Sequence, residues 1–212
     1  MTTALLIIDM QMGMADRIAA GAEVAVPAAP DNMARLLALF RARALPVVHV
    51  HHDQPGTPFA KDVPGGAPMP CALPLPDETV LCKSGSSAFA GTGLDAHLRR
   101  HGIDRIVLIG AVAAFCVTSS TRAASDLGFQ VILPGDALLG FDVPAHDGGR
   151  IDAASVHRVT LSLLGADFAT LTTTDQVAAL LDAADGAACT PSAPAVRPAS
   201  DATSTSKSDK AA

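Results

Sequence analysis

Tyrosine and tryptophan are both missing from the 212 residues, and seven phenylalanines make up the whole aromatic complement. That is too few rings for the stacking platform on which single-stranded nucleic acid is held. Positive charge is also scarce: 15 Lys and Arg stand against 21 Asp and Glu, for a net charge of −6, and the basic residues form no run. The electrostatic footprint of a nucleic-acid binder is therefore absent, which speaks against nucleic acid as a partner. No apolar stretch approaches the roughly 20 residues a membrane helix needs. The opening MTTALLIIDMQ is apolar only briefly, is interrupted by Asp9 and lacks a basic start, so it does not read as a secretory leader. Cysteine is sparse too. Cys71, Cys82, Cys116 and Cys189 lie far apart without a C-x-x-C pair, which points to neither a zinc site nor a disulfide framework but to free thiols in a reducing, cytoplasmic compartment.

Apolar residues, by contrast, are abundant: 49% of the chain is hydrophobic, 17% is charged and the mean hydropathy is +0.34. Such a composition excludes global disorder, and the length suits one domain with a sizeable core. Short β-branched runs alternate with longer helical patterns, as expected of a doubly wound α/β domain of three layers, Rossmann-like, with a mostly parallel sheet. Strands are predicted at Ala4 to Asp9, Pro46 to His52, Thr79 to Lys83, Arg105 to Gly110, Gln130 to Leu133 and Phe168 to Thr172. Helices are predicted over residues 32–45, 94–100, about 116–127, 151–164 and 175–184. The connection from Asp53 to Pro76 carries seven of the 15 prolines and reads as a lid or interface loop without regular structure. Residues 1–185 form the expected domain. Residues 186–212, rich in Ala, Ser, Thr and Pro with no Leu, Ile or aromatic, read as a disordered tail.

In an open α/β sheet, ligands sit beyond the carboxyl ends of the strands. Asp9 closes the first strand, Lys83 the third, and Cys116 follows the fourth at the expected first turn of a helix. The helix N-terminus and the Lys83 ammonium are each expected to lower the Cys116 thiol pKa, Asp9 to take the thiol proton, and the free N–H groups to hold an oxyanion. Together these groups make covalent acyl-transfer chemistry. Each residue also has a plainer reading taken singly: a buried structural Cys, a capping Asp, a solvated Lys.

Three blocks tie the residues together: ALLIIDMQ with Asp9 and Gln11, LCKSGSSAFAGTGLDAHLRRHGIDRIVLIG opened by Lys83, and GAVAAFCVTSSTRAASDLGFQVILPGDA with Cys116. In order and spacing these resemble the isochorismatase-like cysteine hydrolase superfamily, with nicotinamidase and N-carbamoylsarcosine amidohydrolase relatives, from Ala4 to about Ala184. The resemblance implies a six-stranded parallel sheet covered on both faces and a catalytic triad of Asp9, Lys83 and Cys116. It further implies a cis peptide between Ala111 and Val112, an oxyanion hole from the amides of Val112 and Cys116, and assembly as dimers or tetramers. Many relatives carry Thr where this chain has Ala113.

Gln11, Phe59, Phe89 and Phe115 are the candidate substrate-binding residues, the rings serving as an apolar pocket wall. His49, His51, His52 and Asp53 invite a metal, as in nicotinamidases, but the order of Asp and His differs and no further His occurs before His97. His49 and His51 share one strand face and read as polar core or pocket lining, so no metal and no cofactor is expected. Gly91-Thr92-Gly93 reads as a turn before a helix and not as a phosphate loop. The expected activity is hydrolysis of a C–N bond in a small amide or carbamoyl substrate through a Cys116 acyl-enzyme. The alternatives are vinyl-ether hydrolysis of an isochorismate-like substrate, or a catalytically silent small-molecule-binding relative.

Overall fold

The computed structural model describes residues 2–188, and side chains as far as residue 183. Six strands form one parallel path: β1 (Thr2–Ile8), β2 (Val47–His52), β3 (Thr79–Lys83), β4 (Ile103–Ala111), β5 (Gln130–Pro134) and β9 (Thr170–Thr172), in the spatial order β3-β2-β1-β4-β5-β9. The sheet has a seventh member that the six-stranded expectation lacks: β6 (Leu138–Leu139) pairs with the last residues of β4, Gly110 and Ala111. The short hairpin β7 (Val143–Pro144) and β8 (Arg150–Ile151) stands apart.

The period of two along β1 splits the core. Leu5 and Ile7 join Met33, Leu36 and Phe40 of α2 (Ala29–Ala42) and Val177 and Leu181 of α6 (Thr174–Ala188) on one face. Ala4, Leu6 and Ile8 join Leu94 and Leu98 of α3 (Leu94–Arg100), Ala124 of α4 (Thr118–Asp126) and Leu164 of α5 (Ala153–Asp167) on the other. Two covered faces explain why β1 and β4 read as unbroken apolar runs. The result is the expected three-layer, doubly wound arrangement, and its strand order reverses between β1 and β4, where such sheets open a crevice.

Several local readings are corrected. The eight-residue helix α1 (Met12–Ala19) was not anticipated: it is short, holds Gly13 and has no side-chain N-cap, so it offers little sequence signal. The proline-rich connection is not wholly irregular; single 3₁₀ turns occur at Pro64–Gly66 and Pro70–Ala72, each opened by a proline whose missing N–H costs nothing there. Cys116 does not lie in the first turn of an α-helix. It sits in a single π-helical turn, Ala113–Val117, which feeds α4. The helix α6 runs to Ala188, past the expected domain end at 185, and the remainder of the predicted tail lies outside the described residues. Among those residues no helix is long and apolar enough to cross a membrane.

Candidate active site

The reversal of strand order brings the ends of β1 and β4 side by side, and the backbone there is unusual. Asp9 has φ +52°, which turns the chain sharply out of β1 and leaves its carboxylate buried at the crevice floor. Opposite it, Gly110 has φ +128°, and a Cβ there would fall 2.1 Å from the Ile8 carbonyl oxygen. Only glycine lets β4 come this close to β1. The next peptide, Ala111–Val112, is cis, and the π turn carrying Cys116 follows. In that turn the Val112 carbonyl accepts from the amides of Phe115 and Val117. The methyl of Ala113 is buried, and its carbonyl accepts from the Thr118 hydroxyl at 2.8 Å.

Lys83 reaches the same point from the end of β3. Its ammonium donates to Asp9 Oδ2 at 2.7 Å and lies 3.3 Å from Cys116 Sγ, 3.1 Å from the Gly85 carbonyl and 3.2 Å from His52 Nδ1. Both charged side chains are almost wholly removed from water, so the ion pair is weakly screened. Asp9 Oδ1 is also buried and, among the described residues, has no hydrogen-bond partner. The segment after Lys83 is pinned to α4, because the Ser120 hydroxyl accepts the Ala88 N–H at 2.8 Å.

The expectation of an acidified thiol does not survive this geometry. Burial, followed by the neighbouring Asp9 carboxylate, pushes the Cys116 thiol up to about 11, and Lys83 only partly opposes them. Burial also raises the Asp9 carboxyl, against the pull of Lys83. At rest the sulfur keeps its proton, beside a carboxylate that is ion-paired through one oxygen and free at the other. The π turn runs directly into α4, so Cys116 stays near the start of a continuous helical stretch, whose influence does not outweigh burial and Asp9.

The remaining candidates separate. Gln11 is not placed to bind substrate: it is buried, its amide donates to the carbonyls of His52 and Gly66 at 2.9 Å each, and its oxygen accepts from the His52 N–H at 2.7 Å. It clamps β2 to the proline-rich connection. Phe59 is half-buried and meets the His52 ring edge-on, with centroids 6.2 Å apart. Phe89 packs against Phe129 in the core, and Phe115, beside the nucleophile, is exposed. Thus the three rings do not form one wall.

His49 is fully buried and bonded to Glu78 at 3.0 Å, and Glu78 is gripped by the Arg41 guanidinium through two 2.8 Å bonds. The Asp53 carboxylate takes the Lys61 N–H at 3.0 Å and its ammonium at 3.4 Å. Among the described residues no three His, Cys, Asp or Glu side chains gather as a metal requires. His51, on the same strand face as His49 with ring centroids 6.2 Å apart, is driven by burial and then by His49 down to about 4. Its folded pKa is depressed below the ordinary histidine value of 6.5, so between pH 6.5 and about 4 the unfolded chain binds the proton and the folded one does not. Stability is therefore expected to decline as pH falls through that window. Thermal melts should show the decline, and His51→Gln should flatten it; equal slopes in the two proteins would refute this.

Sequence reasoning missed the direct contact of His52 with Lys83. The signal was available in the register, since parallel pairing sets His52 opposite Lys83. Two clefts of about 540 and 450 Å³ lie at the opposite, amino ends of the strands, and neither touches Asp9, Lys83 or Cys116.

Residues 3–183 match the isochorismatase domain family model. An uncharacterized isochorismatase family protein, YrdC of Bacillus subtilis, is 31% identical over 82% of this chain and 93% of its own length. A streptothricin hydrolase of Streptomyces noursei is 37% identical over 67% of this chain but only 51% of that protein. A maleamate amidohydrolase of Pseudomonas putida is 30% identical over 72% of this chain and 79% of its own. Among solved structures, a putative isochorismatase-family hydrolase from Chromobacterium violaceum superposes with a TM-score of 0.81 at 35% identity, covering 86% of this chain and 94% of that one. A cysteine hydrolase from Pseudomonas syringae gives 0.78 at 25% identity, covering 86% and 93%.

Proposed function

The chain belongs to the isochorismatase family of hydrolases, and from that premise we propose that it cleaves a C–N bond of a small amide or carbamoyl compound through a Cys116 acyl-enzyme. The observation that carries the reading is the buried contact of one ammonium with both a carboxylate and a thiol: Lys83 Nζ at 2.7 Å from Asp9 and 3.3 Å from Cys116 Sγ. The similarity to a maleamate amidohydrolase, to a streptothricin hydrolase and to a structural neighbour called a cysteine hydrolase supports it.

As the substrate carbonyl approaches, Asp9 Oδ1 takes the thiol proton while Sγ bonds to the carbonyl carbon. The Lys83 ammonium, in contact with both groups, stabilises the negative charge as it passes from the carboxylate to sulfur. Backbone N–H groups of Val112 and Cys116 are assigned to the oxyanion, where loss of one donor typically costs about 10²–10³ in rate. Asp9 returns its proton to the departing nitrogen, which leaves as ammonia or an amine. Water then attacks the thioester with Asp9 again as base, releasing the acid and restoring the thiol. This scheme asks nothing of a metal, because proton transfer, nucleophile and charge stabilisation are each assigned to a side chain.

A panel of small amides assayed for ammonia or amine release is expected to return at least one substrate, with EDTA leaving the rate unchanged. Cys116→Ala should lose that activity and accumulate no thioester by mass spectrometry. Undiminished turnover in Cys116→Ala, or inactivation by EDTA reversed by a divalent ion, would overturn the scheme.

A further inference from the structure

The Lys83 ammonium has three protons but four acceptors within 3.3 Å: Asp9 Oδ2, Gly85 O, His52 Nδ1 and Cys116 Sγ. A protonated sulfur is the weakest acceptor of the four. We infer that His52 is a positioning residue of the active site, taking the third Lys83 proton through Nδ1 and so holding the ammonium aimed between Asp9 and Cys116. This rests on the nucleophile reading above and adds to it a group outside the triad.

The His52 ring is fixed on every side that matters. Its backbone is clamped at N–H and C=O by the Gln11 amide, at 2.7 and 2.9 Å. Its ring meets Phe59 nearly perpendicularly, at 85°. Its Nε2 lies 3.0 Å from Gln54 Oε1, and the β2–β3 register sets it beside Lys83. These contacts select one tautomer. An ammonium has no lone pair, so Nδ1 must accept from Lys83, and the ring proton sits on Nε2, donating to the Gln54 oxygen. A histidine at a strand end with no task has no need of four constraints. Here they converge on the atom that touches the cation of the triad. When Asp9 takes the thiol proton, its carboxyl becomes the weaker acceptor and sulfur the stronger one, and rotation of the three N–H groups together about Cε–Nζ brings one of them onto Sγ without translation of the ammonium.

Two isosteres separate the roles of the ring nitrogens. In His52→Asn the amide oxygen occupies the place of Nδ1 and can accept from Lys83. In His52→Gln the amide reaches the place of Nε2 and leaves Lys83 without that acceptor. With an amide substrate, His52→Gln and His52→Leu are expected to lower kcat about 10- to 100-fold with KM within about twofold, and His52→Asn to restore most of the loss. A second readout needs no substrate. Long-range ¹H–¹⁵N correlation spectra near pH 8, where an ordinary histidine is neutral, should show His52 as the Nε2–H tautomer, with an Nδ1 resonance that moves in Lys83→Met. An Nδ1–H tautomer, or full rates in His52→Gln, would overturn the inference. Failure of the amide chemistry would appear instead as unchanged turnover in Cys116→Ala, while the spectra still judge the His52–Lys83 bond.

Discussion

Asp9→Asn is expected to abolish turnover while making the Cys116 thiol more acidic. The wild-type carboxylate is one reason the thiol stands near 11; with a neutral amide in its place, burial remains, but the opposing influence of Lys83 is no longer outweighed by a neighbouring anion. Alkylation of Cys116 followed against pH by mass spectrometry should therefore show a midpoint below that of the wild type. Activity should nonetheless fall by about 10⁴-fold, as when a triad member is replaced, because no base remains to take and return the proton. A buried ion pair is also broken on one side, leaving Lys83 with neutral partners only. Removing one member of such a pair typically costs about 3–5 kcal/mol, so the melting temperature should fall as well. A midpoint that stays put or rises would mean that Asp9 does not govern the thiol.

Gly110→Ala is expected to be strongly destabilising. The new Cβ would meet the Ile8 carbonyl oxygen at 2.1 Å and the Ile8 nitrogen at 2.7 Å, both backbone atoms of a central strand that cannot swing aside. The backbone at φ +128° disfavours any side chain besides. Strain and overpacking of this kind each cost about 1–3 kcal/mol, and at roughly 2–4 °C per kcal/mol for a chain of this size the melting temperature should drop by about 10 °C. Activity should fall as well, because Asp9 directly follows Ile8, the residue the new methyl would displace. Gly93→Ala is the control: nothing lies within 4 Å of its Cβ position and its φ of −86° is ordinary, so it should melt like the wild type. Equal melting temperatures for the two variants would show that β1 and β4 separate at little cost.

The parallel sheet was legible in the chain because burial on both faces leaves a signature that needs no neighbour: ALLIID and RIVLIG are continuous apolar runs, and helical periodicities separate them. Asp9 and Lys83 drew notice as residues at strand ends, on the crevice side of such a sheet, and Cys116 as the residue following the fourth strand; their grouping as a triad came from the resemblance of the three sequence blocks to a known family. Three things were settled only by the folded chain. The acidity of Cys116 depends on its burial and on the neighbouring Asp9 charge, which together push the thiol up against the expectation from residue types alone. Gln11 resembled a substrate ligand in sequence, yet it spends its amide on the backbone of residues 41 and 55 positions away. His52 looked like one histidine among three, and only the register of β2 on β3 distinguishes the ring that meets Lys83 from the His49 ring that bonds Glu78. Periodicity records which face of an element is dry, a property each residue carries for itself. Proton affinity and hydrogen-bond partnership belong to pairs of residues, and the chain has to close before those pairs exist.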